Sequence, residues 1–361
     1  MTCCRVDHLT RLWVDERGAF HDNPVKIQFS PASDFFEILK FKMDNKNYIH
    51  SLIITRARVV SMKQLYKMSL PKMSTLMPIL FNNEDCRKFL IENQVFYDTM
   101  ICPSYKMSMA CYPGLDSFRC LKRTCRKEVS MRKYSFFFGS ALNCSQIMLL
   151  GYLWLNQCGQ LQAMNISGHS SGTITSFFRN FRSLVASTLV EEDQVIGGPG
   201  IIVEIDETKL GKRKYNRGHR VEGAWILAGV EKTAERKVFL VHVAERSATT
   251  LQEIIRTFVR GGSIVHTDLW RGYFGLEENL GLVHRTVNHS LFFKDPVTGV
   301  HTNTIEGTNN ALKIAICPRN RGADVDVHLD EFIWRRRNYN NLWPSFIQAL
   351  RDIHYEFADD N

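Results

Sequence analysis

Apolar positions along this chain change rhythm twice, and the changes mark its organisation. From Leu80 to Tyr97 they recur at helical spacing, with Cys86, Phe89 and Leu90 on one face and Asn82 placed to cap the start. Residues 102–138 lose that period and are rich in Cys, Arg and Lys instead. The period returns over 143–158 and 170–190. In the second stretch Ile174, Phe177, Phe178, Phe181, Val185 and Leu189 share one face, and Ser170, Ser171 or Thr173 can cap its start. Before all of this, residues 1–75 mix strand-like pieces (Val25–Phe29, Tyr48–Thr55) with charged turns and carry no motif.

Gly197-Gly198-Pro199-Gly200 breaks the chain, and short apolar runs follow. Ile201–Ile205 ends at Asp206; Ala224–Val230 and Val238–Val243 are two further strands. Leu251, Ile254, Ile255 and Phe258 have helical spacing, Ser263–His266 is a fourth strand running into Thr267-Asp268, and Val283–Val287 is a fifth. Thr304–Ile316 and Val327–Tyr339 read as closing helices. This order predicts an α/β fold with a ribonuclease-H-like core, a mixed sheet flanked by helices. The predicted organisation is an unassigned region at 1–75, a helix plus a Cys-rich segment at 76–140, a helical region at 141–196, the core at 200–345 and a tail at 346–361.

Composition adds little to the fold but something to the partners. The 361 residues carry a formal net charge of +9, which favours phosphate contacts without requiring them. The most apolar run, FFFGSALNCSQIMLLGYLWL, is interrupted by Asn143, Cys144, Ser145 and Gln146, so no membrane span is expected. The first residues lack the long apolar stretch of a secretory signal. A cytosolic or nuclear location follows, where the 10 cysteines are expected as thiols or metal ligands rather than disulfides.

Asp206 and Asp268 each follow an apolar strand, and side chains at the ends of neighbouring strands can converge. Two close carboxylates repel unless a cation sits between them. Glu306 adds a third carboxylate from a helix, on a face shared with Asn303, Asn310 and Lys313. Such a set suits Mg²⁺ or Mn²⁺. The alternative is a solvated polar face. Strand alternation also puts Glu204 on the same side as Asp206, where it helps or substitutes, and Glu207 competes as well.

The stretches VEIDETKLGKRKYNRGHRVEGAW, HTDLWRGY, VNHSLFFKDPVTGVHTNTIEGTNNALK and DEFIWRRRN resemble, in order, the Merlin superfamily of DDE transposases, which includes related bacterial insertion-sequence enzymes. The resemblance spans residues 201–341. It implies a catalytic triad of Asp206, Asp268 and Glu306 holding two Mg²⁺ or Mn²⁺ ions, with intervals of 62 and 38 residues. It implies cut-and-paste transposition: binding of double-stranded DNA at terminal inverted repeats, hydrolytic nicking, then strand transfer into target DNA, by a homo-oligomer. Lys209, Lys212, Arg213, Lys214, Arg217 and Arg220 are then expected to grip phosphates, with Asn303, Asn310 and Lys313 also facing DNA. His289 and His301 stay outside the catalytic set. Trp334, Arg335, Arg336 and Arg337 are expected to be partly packed and partly DNA-facing. One departure is visible: relatives carry Trp where this chain has Asn309. The rival reading is a host-adopted, catalytically silent DNA-binding protein derived from a transposase. A eukaryotic host implies the nucleus, any other the cytoplasm.

FRCLKRTCRKEVSMRKYSFF also resembles this family, whose N-terminal part often carries a zinc ribbon. Cys102, Cys111, Cys120 and Cys125 are the implied ligands of a structural Zn²⁺, in an imperfect ribbon where Tyr105 stands near the place of an expected cysteine. A decayed ribbon with free thiols is the alternative. The helices at 143–158 and 170–190 form either a helix-turn-helix, exposing Thr175, Arg179 and Arg182 to the transposon end, or a plain linker.

Overall fold

The structure is a computed structural model that describes residues 70–211, 223–289, 291, 294–322 and 324–355. The strand-like pieces Val25–Phe29 and Tyr48–Thr55, Cys3 and Cys4, and the basic residues Lys212, Arg213, Lys214, Arg217 and Arg220 lie outside the described residues.

Where one helix is predicted from Leu80, two meet: α1 (Met73–Phe81) and α2 (Asn83–Glu92). Asn82 separates them because its extended backbone ends the first while its side chain accepts from the N–H of Glu84 and Asp85, at 2.9 and 3.3 Å. The aperiodic Cys-rich segment becomes a small antiparallel sheet of β1 (Ala110–Tyr112), β2 (Ser117–Arg119) and β3 (Glu128–Ser130). Helix α3 (Cys144–Leu155) starts in a capping box of Asn143 and Gln146 and is buried almost all round. That explains the apolar run: a helix hydrophobic on every side belongs at the centre of a core. Among the described residues no helix is long and apolar enough to cross a membrane.

A helix absent from the sequence reading, α4 (Gln160–Ser167), follows. Gly168 ends it at φ +73°, a left-handed conformation that glycine tolerates without steric cost. Ser170 then caps α5 (Ser171–Ala186), and a short α6 (Glu191–Gln194) completes the region. The helix α11 (Leu342–Asp352) returns to this core and buries Trp343, Phe346 and Leu350 against α3 and α5. Residues 346–352, expected in a tail, therefore belong to a packed helix.

The second core is built on a five-stranded sheet in the order β10-β9-β5-β6-β7. Its strands are β5 (Ile202–Lys209), β6 (Trp225–Glu231), β7 (Val238–Val243), β9 (Ile264–Asp268) and β10 (Val283–Val287). β5, β9 and β10 run parallel, and β6 is antiparallel to both its neighbours. A separate parallel pair, β4 (Ile196–Gly197) and β8 (Val259–Arg260), shows that the unit already includes Gly197. One sheet face carries Val203, Ile205, Leu227 and Val265 and packs on Leu251 and Ile255 of α7 (Ala248–Phe258). A short helix α8 (Leu276–Leu280) precedes β10. Helix α9 (Asn303–Ala315) lies against β5 and β6, and α10 (Val325–Arg337) packs on β7 and α5.

Candidate active site

Parallel pairing sets the first feature of the site. Val203 pairs with Val265 and Glu204 with His266, an offset of 62 residues. The interval from Asp206 to Asp268 is the same 62, so the two aspartates stand level on adjacent strands with side chains on one face. Asp206 does not end its strand, as the apolar run suggests; β5 continues to Lys209, because Asp206 to Lys209 stay paired with β6. Asp268 does end β9, and its Oδ1 accepts from the Trp270 N–H at 2.9 Å, which shapes the turn.

Helix α9 is brought to this face by a residue two positions before Asp206. Glu204 is 0 % exposed. Its carboxylate accepts from the backbone N–H of Thr304 (2.7 Å) and Ile305 (3.1 Å) and from Thr304 Oγ1 (3.1 Å). These donors are free amides of the first turn of α9, where no local side chain caps the helix. Glu204 is thus committed to holding the helix. The approach brings Glu306, in the same first turn, close enough for its charge to act on Asp206. His289 Nε2 lies 3.8 Å from Glu306 Oε1 and 2.7 Å from Thr302 Oγ1. One turn on, the Nδ2 of Asn309 donates to Asp206 Oδ2 at 2.9 Å.

Electrostatics confirm that the acids sense one another. Burial, then the Asp268 charge, raise the Asp206 pKa to about 6; the Asn309 amide opposes this and Glu306 adds to it. Glu207 points to the opposite sheet face, toward the buried Tyr273, and is pushed up to about 7, first by burial and then by Asp206. The oxygens of the three acids do not all come within 4.8 Å of one another.

At the rim, Arg246 stacks 3.6 Å over the Trp225 ring and 5.0 Å over Trp270, and Lys209 Nζ lies 5.3 Å over Trp225. Asn310 and Lys313 are exposed on α9, and Asn303 is half-buried with an unpartnered Oδ1. The Trp334–Arg337 run passes from buried (Trp334, Arg335) to half-buried (Arg336) and exposed (Arg337), and its arginines find partners within the chain. Trp334 is in the core, and Arg335 donates to the carbonyls of Trp154 and Leu155 at the end of α3. Arg336 donates to the Arg236 carbonyl, and Arg337 pairs with Asp193 at 2.7 Å. Arg182 is likewise paired, with Glu331 at 2.8 Å, while Thr175 and Arg179 are exposed.

The cysteines form a second cluster. Cys102, Cys120 and Cys125 bring their sulfurs within 4.8 Å of one another, the tightest such set among the described residues. Burial would raise the Cys102 thiol, but backbone N–H groups of Tyr105 and Ser104 and the neighbouring thiols lower it to about 7. Cys111 is not part of the set. It is exposed on β1 opposite Phe118, so strand pairing keeps it away from the two turns that carry the others. Those turns are alike: Lys106 N–H donates to the Cys102 carbonyl and Arg126 N–H to the Lys122 carbonyl, and both Lys106 and Arg126 have positive φ. Tyr105 therefore occupies the position that Cys125 has in the other turn, with its hydroxyl 3.2 Å from Thr124 Oγ1.

The sequence flags Glu204 as a rival ligand and Asn309 as a departure, but it gives the role of neither, because neither contact is local. Alternation alone pairs Glu204 with Asp206, and nothing in the spacing points Asn309 at the strand.

The site thus combines a mixed sheet, acids on neighbouring strands and a third acid on a docked helix. Residues 196–336 match the family model of the ISXO2-like transposase domain, a DDE transposase domain. Among solved structures, the Mos1 transposase paired-end complex with left transposon end is similar at 12% identity over 57% of this chain and 79% of that chain, with a TM-score of 0.20. The search of curated proteins finds no match.

Proposed function

We propose that the protein is a DNA transposase acting on double-stranded DNA at terminal inverted repeats, with Asp206, Asp268 and Glu306 as the catalytic carboxylates. The observation that carries this reading is the level placement of Asp206 and Asp268 combined with the docking of α9 through Glu204. The strand order supports a ribonuclease-H-like core: three antiparallel strands, a helix, then two strands added in parallel to the first. Asp206, whose ionisation burial and the nearby Asp268 and Glu306 charges make costlier, suits a divalent cation, and the oxygen donors of the three acids suit Mg²⁺ or Mn²⁺. When bound, the ions supply activation of the attacking oxygen and neutralise the leaving one.

The chain's own part is positioning and charge. Asp206 is fixed by Asn309 and Asp268 by its turn, while Glu306 rides on a tethered helix. Lys209 supplies a cation at the rim for a DNA phosphate, and Asn303, Asn310 and Lys313 continue that track along α9. Hydrolysis at the transposon end frees a 3′-hydroxyl, which then attacks a target phosphodiester. The test is cleavage of DNA carrying the element's own terminal repeat with Mg²⁺ or Mn²⁺. Asp206→Asn, Asp268→Asn and Glu306→Gln should each abolish cutting and leave DNA binding nearly intact; full activity in any one removes that residue from the set.

Cys102, Cys120 and Cys125 fit a structural zinc with three thiolates, the fourth position being left to solvent by Tyr105. Zinc content of the purified full chain, lost in Cys120→Ser, tests this.

A further inference from the structure

Asn309 is 3 % exposed, on the side of α9 that also buries Ile305, Thr308, Ala311 and Leu312. An apolar residue would pack there with no polar group to satisfy. The amide instead spends its Nδ2 on Asp206 Oδ2, at 2.9 Å, and leaves Oδ1 buried with no partner in the protein. Its orientation follows from chemistry: an ionised Asp206 only accepts, so the NH₂ must face it and the carbonyl must turn away. Most buried carbonyl groups find a donor, so an unmatched one next to a cluster of acids calls for a reason other than packing.

Two consequences follow for Asp206. With Oδ2 held, the carboxylate cannot swing freely, and Oδ1 is the oxygen left for another ligand. The holding group is neutral, so it orients the carboxylate without cancelling its charge, as an arginine or lysine would. The orphaned Asn309 Oδ1 is a hard oxygen of the type a hydrated divalent cation satisfies.

We propose that Asn309 is a positioning residue for the cation site, fixing Asp206 so that Oδ1 faces a divalent ion. This rests on the reading of Asp206 as a cation ligand. The experiment is Mn²⁺ titration of the full chain by calorimetry and by electron paramagnetic resonance, with melting in EDTA as a separate readout. Asn309→Leu keeps the branched side-chain shape at a larger volume, and Asn309→Ser avoids added bulk. Both are expected to weaken Mn²⁺ about 10-fold or more, with metal-free melting close to wild type. In an Asp206→Asn background, Asn309→Leu should add no further loss, because the two act as one unit. Unchanged Mn²⁺ affinity in both folded variants, or a loss that multiplies with that of Asp206→Asn, overturns the proposal. Wild-type affinity in Asp206→Asn alone would instead sink the reading of Asp206 and the proposal with it.

Discussion

The carboxylate site and the cysteine site assemble by opposite routes. Cys102, Cys120 and Cys125 come from two turns within one short segment, each closed by its own backbone hydrogen bonds and a left-handed residue. Asp206, Asp268 and Glu306 come from two strands and a helix, and they approach one another only as far as the sheet register and the Glu204 anchor of α9 bring them. The cysteine site should therefore tolerate damage to the sheet, whereas the carboxylate site depends on contacts a hundred residues apart in sequence.

The harshest test of that contrast strikes the joint between the two cores. Glu331 of α10 accepts from Arg182 of α5 and from Arg335, both at 2.8 Å, and Arg335 in turn closes the end of α3. Glu331→Gln leaves the buried Arg335 and the half-buried Arg182 without their anion and should destabilise the fold by about 3–5 kcal/mol in denaturant melts. Burial works to raise the Glu331 pKa, but Arg335 and Arg182 hold it below the usual carboxylate range. Its stabilisation is thus present above that range and is lost as pH falls through the depressed value. A neutral Glu331→Gln would mean that the two cores are not coupled through this group.

Next in size is Glu204→Leu. The Thr304 and Ile305 amides lose their acceptor in a buried place, at a cost of about 2–3 kcal/mol. Mn²⁺ affinity should fall with it while zinc content stays at wild-type level. Parallel loss of both metals would erase the distinction between a locally and a remotely assembled site. The reverse probe is Tyr105→Cys, which places a fourth thiol in the matching turn. It should tighten zinc about 10-fold or more in competition with a chromogenic chelator, and an unaltered affinity would show that the two turns are not equivalent.

The smallest expected effect concerns pH. Asp206 has its folded pKa raised from 3.8 to about 6, so burying its charge costs stability once the pH exceeds the unfolded value. In EDTA, Asp206→Asn should melt higher than wild type at pH 7.5, and the advantage should vanish below about pH 4. An advantage that persists in acid would point to packing rather than charge.

How much of this was legible beforehand depended on the range of each signal. The strands at Val238–Val243 and Val283–Val287 agree with the structure to the residue, because short β-branched runs bounded by turns leave little choice. The cap at Asn82 is equally plain, since a cap acts within three residues, while the structure selects Ser170 from the three candidates Ser170, Ser171 and Thr173. Helix α4 was missed because its eight residues bury only Ala163 and show no apolar stripe. Cys111 was grouped with the other cysteines because composition counts sulfurs without regard to which turn carries them.

By itself the sequence determined the periods, the caps, the turn residues and the acids at 206, 268 and 306, all of which act through nearest neighbours along the chain. The tertiary structure alone decided which oxygen of Asp206 is held, that Glu204 serves a helix rather than an ion, and that the arginines after Trp334 tie the protein to itself. Each of these is a contact between elements folded together from distant positions, and a hydrogen bond between them depends on angle and distance that no spacing in the sequence encodes.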